Sequence, residues 1–208
     1  MRLHFLVEGP SEKDFLDAWL PRFLPPGHSF KVYPHRGKGR LPNNPAAVPD
    51  PRWQGLLDQL PAKLRAWSKV FDSATDRVIV LVDLDTEDCH TLKGQLVDLL
   101  DLCDPQLTVK FRLAIEELEA FYLSDRQAIR QAFPRAKLYK LDSYIQDSIC
   151  GTWELFQSVI GADIDDKRAW ARAMAPVLST DWAANPSVSF QHFCRAILLL
   201  AGEPVERF

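Results

Sequence analysis

Residues 77–82 read RVIVLV, a stretch in which five apolar residues follow one another with no polar residue between them. A strand with one wet face alternates apolar and polar side chains. A strand without alternation is buried on both faces, as in a parallel sheet covered by helices. The run ends abruptly in DLDTED, so this buried strand leaves at least two carboxylates at its carboxyl end.

The neighbouring segments read as partners for such a strand. Residues 2–7, RLHFLV, form a short apolar run ended by EGPS, which is turn chemistry. Ser11 is expected as the N-cap of a following helix, with Asp14 three residues on in a capping-box-like position. Phe15, Leu16, Trp19, Leu20 and Phe23 give that helix an apolar stripe, and Pro25-Pro26-Gly27 stops it. SFKVYPH reads as a second strand, and RGKGRLPNNPAAVPDP after it reads as a long ordered loop. Trp53, Leu56, Leu57, Leu60, Leu64, Trp67 and Phe71 mark a further helical stripe, expected to kink or break near Pro61. A helix over about 90–103 and a strand over about 107–114 complete a β-α-β-α-β-α-β order. That order predicts an α/β sandwich with a mainly parallel sheet over residues 1–124. Residues 125–208 are helical in pattern and are expected to pack on the first part as a lobe.

Composition narrows the class. Of 208 residues, 47% are hydrophobic, enough for a large core and against disorder. A formal net charge of −3 argues against a general coat for nucleic acid while leaving room for a local basic groove. Cys89, Cys103, Cys150 and Cys194 lie far apart with no metal-ligand spacing, so they read as reduced thiols. No signal-peptide h-region and no run of about 18 apolar residues occurs, so a soluble, cytoplasmic protein away from membranes is expected.

In an open parallel sheet, ligands gather outside the carboxyl ends of the strands. Glu8 stands at the end of the first strand, and Asp83 and Asp85 at the end of the apolar strand. Spaced i, i+2, the two aspartates point the same way if the chain stays extended. Like charges so crowded call for a cation, and hard oxygen ligands favour Mg²⁺ or Mn²⁺ over zinc. Each residue also has a plainer reading. Glu12 can simply favour a helix N-terminus, and Asp85 or Asp88 can cap the helix that follows them. Glu117 and Glu119 follow the last strand and can reach the same edge or face solvent. His35, Arg36, Lys38 and Arg40 lie among glycines, where backbone and cations can approach a phosphate, or form a solvated loop. Ser187 reads foremost as a helix cap, and the tryptophans as core rather than base-stacking platforms.

An apolar strand ending Val7-Glu8-Gly9 with Glu12 beyond it, and another ending Val82-Asp83-Leu84-Asp85, resemble the Toprim fold of topoisomerases, primases, small ribonucleases and OLD-type nucleases. The resemblance implies a Rossmann-like sheet, Glu8 as general acid or base, and Asp83 and Asp85 as holders of Mg²⁺. Most of the chain also resembles a bacterial Toprim-like family associated with ABC- or AAA-type ATPases in defence loci. That likeness rests on Gly37-Lys38-Gly39, on Glu117-Leu118-Glu119-Ala120-Phe121 with Asp125 beyond, and on Ser187-Val188-Ser189-Phe190. Phe121 stands where the family more often has Trp.

The expectation is therefore a Mg²⁺-dependent phosphodiester-cleaving enzyme, a nuclease acting on DNA or RNA. Glu8, Asp83, Asp85 and Glu119 would serve the metal, and Lys38 and Arg40 would offset phosphate charge. An ATPase partner is implied by the resemblance, and a homo-oligomer stays open. The competing class is a regulatory or binding subunit on the same scaffold that cuts nothing. A small-molecule phosphatase also uses carboxylate-held Mg²⁺. No GxxxxGK[ST] occurs, which speaks against an NTPase motor in this chain.

Overall fold

The computed structural model describes residues 1–149 and 151–205, so Cys150 lies outside the described residues. Strands β1 (Arg2–Val7), β2 (Ser29–Pro34), β3 (Asp76–Asp83) and β4 (Val109–Ala114) form one sheet in the order β2-β1-β3-β4. Every neighbouring pair is parallel. The chain is thus a Rossmann-like α/β fold, and its apolar strand β3 lies in the sheet interior with both faces covered.

The pleat sorts the side chains into two cores. Leu3, Phe5 and Val7 of β1 and Ile79 and Leu81 of β3 face one side. Leu6 of β1 and Val78, Val80 and Val82 of β3 face the other. The first core is closed by helix α1 (Pro10–Phe23), through Phe15, Leu16, Trp19 and Leu20, all with no exposed surface. The second is closed by α2 (Leu56–Ser68) and α3 (Cys89–Asp98), through Leu56, Leu60, Leu64, Leu92 and Leu96. Each fully buried side chain of this kind contributes about 1.5–3 kcal/mol, so both stripes are strongly held.

The C-terminal helices complete the first face. They are α4 (Glu119–Leu123), α5 (Arg126–Ala132), α6 (Thr152–Ile160), α7 (Lys167–Met174) and α8 (Val188–Ala201). Phe190, Phe193 and Ile197 of α8 enter the core that holds Phe5, and Trp170 and Met174 of α7 enter the core that holds α1. The segment beyond residue 125 therefore shares one hydrophobic core with the sheet.

Several local expectations are corrected. Helix α1 begins earlier than the Ser11 cap implies: extended Gly9 precedes it and Pro10 occupies its first turn, where a missing N–H costs nothing. Ser11 Oγ donates instead to the Glu12 carboxylate, at 3.2 Å to each oxygen. Helix α2 runs unbroken through Pro61. Its first turn is held from outside, because the Leu56 and Leu57 N–H groups donate to the Gly37 and Lys38 carbonyls (2.8 and 2.7 Å). Trp53, read as part of the α2 stripe and of the core, lies before that helix and is 62% exposed.

Ser187 does cap α8, accepting the Phe190 N–H at 3.1 Å. Its hydroxyl in turn donates to Asp147, which also takes the Ser189 N–H (both 2.8 Å). The SVSF segment is thereby tied to the loop before α6. Cys89, Cys103 and Cys194 are free thiols, the last two buried. Among the described residues, no helix is long and apolar enough to cross a membrane.

Candidate active site at the carboxyl edge of the sheet

In the order β2-β1-β3-β4 the chain moves outward from β1 in one direction and from β3 in the other. The crevice between the ends of β1 and β3 is the topological switch point, where ligands bind in open α/β sheets. Glu8 and Asp83 flank it. Glu8 Oε1 accepts the Asp83 N–H at 2.9 Å, so the Glu8 side chain joins the two strand ends.

Around this pair the fold gathers three more acids. Glu12, one turn into α1, is 7% exposed, and Glu119, at the start of α4, is 2% exposed. Glu117 lies between β4 and α4, and its Oε2 is buried with no hydrogen-bond partner. Burial is the largest influence on Glu8 and raises its carboxyl to about 8; the Asp83 N–H and Lys38 pull it down, Glu12 and Asp85 push it up. Asp83 is raised well above the ordinary carboxylate range, first by burial and then by Glu8, Glu12, Glu119 and Glu117. Glu119 is raised to about 7, again mainly by burial. Among the described residues, the Asp83 carboxylate takes no hydrogen bond or ion pair.

Two lysines partly compensate. Lys38 Nζ contacts Asp85 Oδ2 (2.9 Å), Glu87 Oε2 (2.6 Å) and the Leu84 carbonyl (3.2 Å). Lys167, reaching in from α7, pairs with Glu117 Oε1 at 2.9 Å. Burial works against its charge, and Glu119 and Glu117 outweigh that effect. The phenol of Tyr122 is fully buried with its hydroxyl unpartnered, and its ionisation is disfavoured by burial and then by Glu119, Glu12 and Asp83. Sequence reasoning passed over Lys167 and Tyr122. Lys167 carries no local signal, being 50 residues from its partner. Tyr122 stands one helical turn after Glu119, a spacing that could have flagged it.

The remaining predicted residues are placed as follows. Asp85 does not extend β3: the strand ends at Asp83, and Asp85 is left-handed with φ 51°. The expected common direction of the two aspartates is lost, because the αL residue turns the chain out of the pleat. Its side chain is half exposed at the rim, held by Lys38, yet close enough to raise Glu8. Asp88, not Asp85, caps α3, accepting the Thr91 N–H at 2.8 Å. Asp125 is the N-cap of α5, accepting from Ala128, and it also takes the Ser179 N–H; both oxygens serve backbone away from the acids.

His35 packs inward. Its Nδ1 meets the Val7 carbonyl at 2.8 Å and its Nε2 meets Lys63 at 2.8 Å, so its ring is committed to the loop's own structure. Burial, with Lys63 adding, lowers the imidazole's proton affinity, against the Val7 contact. Arg36 and Arg40 are exposed and make no ion pair among the described residues. The glycines explain Lys38's position: Gly37 (φ 85°) and Gly39 (φ 68°) are both left-handed, and Gly37 N donates to the Glu8 carbonyl at 2.8 Å. The loop after β2 is thus fastened to the end of β1 and turned to bring Lys38 across to β3.

The donors suit a hard divalent cation. They are all oxygen, their negative charge exceeds that of the two lysines, and Glu117 Oε2 is buried and orphaned. Among the described residues, no group of three His, Cys, Asp or Glu side chains already stands in metal-ligand geometry.

No curated protein matches the chain, and no solved structure matches it. A family profile described as "Domain of unknown function (DUF4276)" matches residues 7–197, from the end of β1 into α8. That match covers both strand ends, all the clustered acids and both lysines, and the chain belongs to this family.

Proposed function

We propose that the carboxyl edge of this sheet cleaves phosphodiesters in DNA or RNA with the help of Mg²⁺ or Mn²⁺. The observation that carries the reading is the Glu8–Asp83 contact at the switch point, with Glu12, Glu117 and Glu119 crowded behind it. Five carboxylates are gathered where an α/β sheet receives ligands, with too few cations to balance them. The Toprim resemblance at Glu8, Asp83 and Asp85 points the same way.

Glu8, Asp83 and Glu119 are the residues that would hold the metal, with Asp85 at the rim. When bound, a divalent cation would offset phosphate charge and lower the pKa of a water molecule. Glu8, with a carboxyl raised to about 8, can hold or release a proton near neutral pH, as a general acid or base must. Lys38 stands on the loop side of the cluster and can meet a phosphate oxygen once it exchanges Asp85 or Glu87 for it. Lys167 holds Glu117 in place and opposes the rise that burial imposes on its carboxyl. Partnership with an ABC- or AAA-type ATPase and a part in bacterial defence are supported by the family resemblance alone.

The test is direct. The purified chain is incubated with labelled DNA and RNA in Mg²⁺ or Mn²⁺, alone and with the product of any adjacent ATPase gene. Metal-dependent cleavage lost in Glu8→Gln and Asp83→Asn supports the reading. Cleavage that persists in both variants removes this site from the chemistry, and tight ATPase binding with no cleavage and no metal binding replaces it with the regulatory-subunit reading.

A further inference from the structure

The loop after β2 builds a second feature beside the acids. Most of the loop between Gly39 and Trp53, with Asp58, Pro61 and Ala62 of α2, encloses an open pocket of about 850 Å³. That is within the roughly 300–1,000 Å³ of small-ligand sites. Pro42, Pro45, Pro49 and Pro61 alternate on its walls with Asn43, Asn44, Asp50 and Asp58, and the acids at the sheet edge line no part of it. Trp53 contributes an indole that is 62% exposed. The exposed face of that indole is open to a planar ligand in the pocket.

Asp50 is held by Arg52 at 2.6 Å. Asp58 is occupied by the Gly55 N–H and the Arg40 N–H at 3.0 and 3.1 Å. The Arg40 guanidinium has no ion-pair partner among the described residues. Asp50 is thus paired, Asp58 is held by backbone N–H groups alone, and the exposed Arg40 side chain is open to a phosphate. Arg40 follows Lys38 by two residues, at most about 7.6 Å of Cα path, and Lys38 touches Asp85. The pocket therefore adjoins the acidic edge on its loop side.

We propose that this pocket receives one unpaired base of a nucleic-acid strand. The base stacks on Trp53, and Arg40 takes the phosphate that leads from the base toward the Lys38 side of the acids. The inference rests on the phosphodiester reading above and deepens it: the substrate is a single strand, or a duplex with an unpaired end. A base within a duplex is stacked on both faces and cannot reach a side chain in a loop pocket.

The probe is a fluorescein-labelled oligothymidylate of about ten nucleotides, with a blunt duplex of equal length as control. Binding is followed by anisotropy in EDTA, so that no cleavage occurs. Trp53→Ala should weaken single-strand binding about 5- to 160-fold, the span of one lost base–aromatic stack, and leave weak duplex binding unchanged. Trp53→Phe should retain most of the affinity, since a phenyl ring still stacks. Arg40→Gln should weaken binding and make it less dependent on salt. Unchanged single-strand affinity in Trp53→Ala, with an unchanged thermal midpoint, overturns the proposal, as does an equal loss for strand and duplex. Glu8→Gln separates the two readings. Wild-type strand binding lost only in the Trp53 and Arg40 variants keeps the subsite even if no cleavage is ever seen. Cleavage untouched by Trp53→Ala keeps the catalytic reading while removing the subsite.

Discussion

Glu8 Oε1 accepts the backbone N–H of Asp83 across the gap between two adjacent parallel strands, at 2.9 Å. The carboxylate of one strand end thereby occupies the first free donor of the next. That single contact places two acidic side chains at the one crevice of the sheet where the connections diverge. A buried carboxylate accepting one N–H while facing other acids is poised to exchange a proton, and several consequences can be measured.

If Glu8 carries the proton, Glu8→Gln should keep the Asp83 N–H contact through its side-chain carbonyl yet lose the acid. Cleavage should fall about 10²- to 10⁴-fold, with oligonucleotide binding preserved. A variant that keeps its rate, measured under single-turnover conditions, would remove Glu8 from the chemistry.

The acid cluster should make the metal-free protein less stable as pH rises. Burial raises Glu8 to about 8 and Glu119 to about 7 from an ordinary 4.5. Between 4.5 and those values the folded chain holds protons that the unfolded chain has lost, so unfolding becomes easier with rising pH. The contribution is fully present below 4.5 and is lost as pH climbs through 7 and 8. Thermal midpoints in EDTA should fall over that window, and Glu8→Gln and Glu119→Gln should each flatten part of the slope. A midpoint that rises toward pH 8, in a buffer series of constant ionic strength, contradicts the placement of these acids.

Divalent cations should reverse that loss. Saturation at about a hundred times Kd adds about 2.7 kcal/mol, a rise of about 5–10 °C for a chain of this size. Mn²⁺ or Mg²⁺ should raise the midpoint more at pH 8 than at pH 5, because protons and metal compete for the same oxygens. Differential scanning fluorimetry of wild type and Asp83→Asn checks it, and the variant should show little of the gain.

Gly39→Ala should disturb both stability and the site. At φ 68° a side chain is strained, and its Cβ would collide with the Asp58 carboxylate and come within 3.0 Å of Gly55 Cα. A cost of about 1–3 kcal/mol is expected in urea unfolding. Lys38 should also shift from its bridge to Asp85, lowering activity. Gly94→Ala, with open space around it, serves as the control and should have no such effect.

Much of the architecture was legible because it depends on periodicity. The unbroken apolar run of β3 announced burial on both faces, and the α1 stripe of Phe15, Leu16, Trp19 and Leu20 announced the face it buries. The convergence of Glu8 and Asp83 was also legible, since each ends an apolar strand and such ends share one edge in a parallel sheet. Local backbone geometry was less so. Asp85 turns into the left-handed region at the strand end, and no i, i+2 rule survives that turn. Asp125, which the resemblance placed just beyond the Glu117–Phe121 segment, proved to be a helix cap, a role that an aspartate fills readily. Trp53 looked like one more turn of a helical stripe, but the helix starts three residues later and leaves the ring exposed.

By itself the sequence determined the layers: which runs become strands, which stripes become helix faces, and that acids stand at strand ends. These follow from side-chain pattern, which acts over a few neighbouring residues. Only the tertiary structure decided the company those acids keep. Lys167 meets Glu117 across 50 residues of chain, Tyr122 seals its hydroxyl among the carboxylates, and Lys38 crosses from the β2 loop to β3. Charge and burial act through space, so the proton affinity of Glu8 is set by neighbours that chain order does not bring near it.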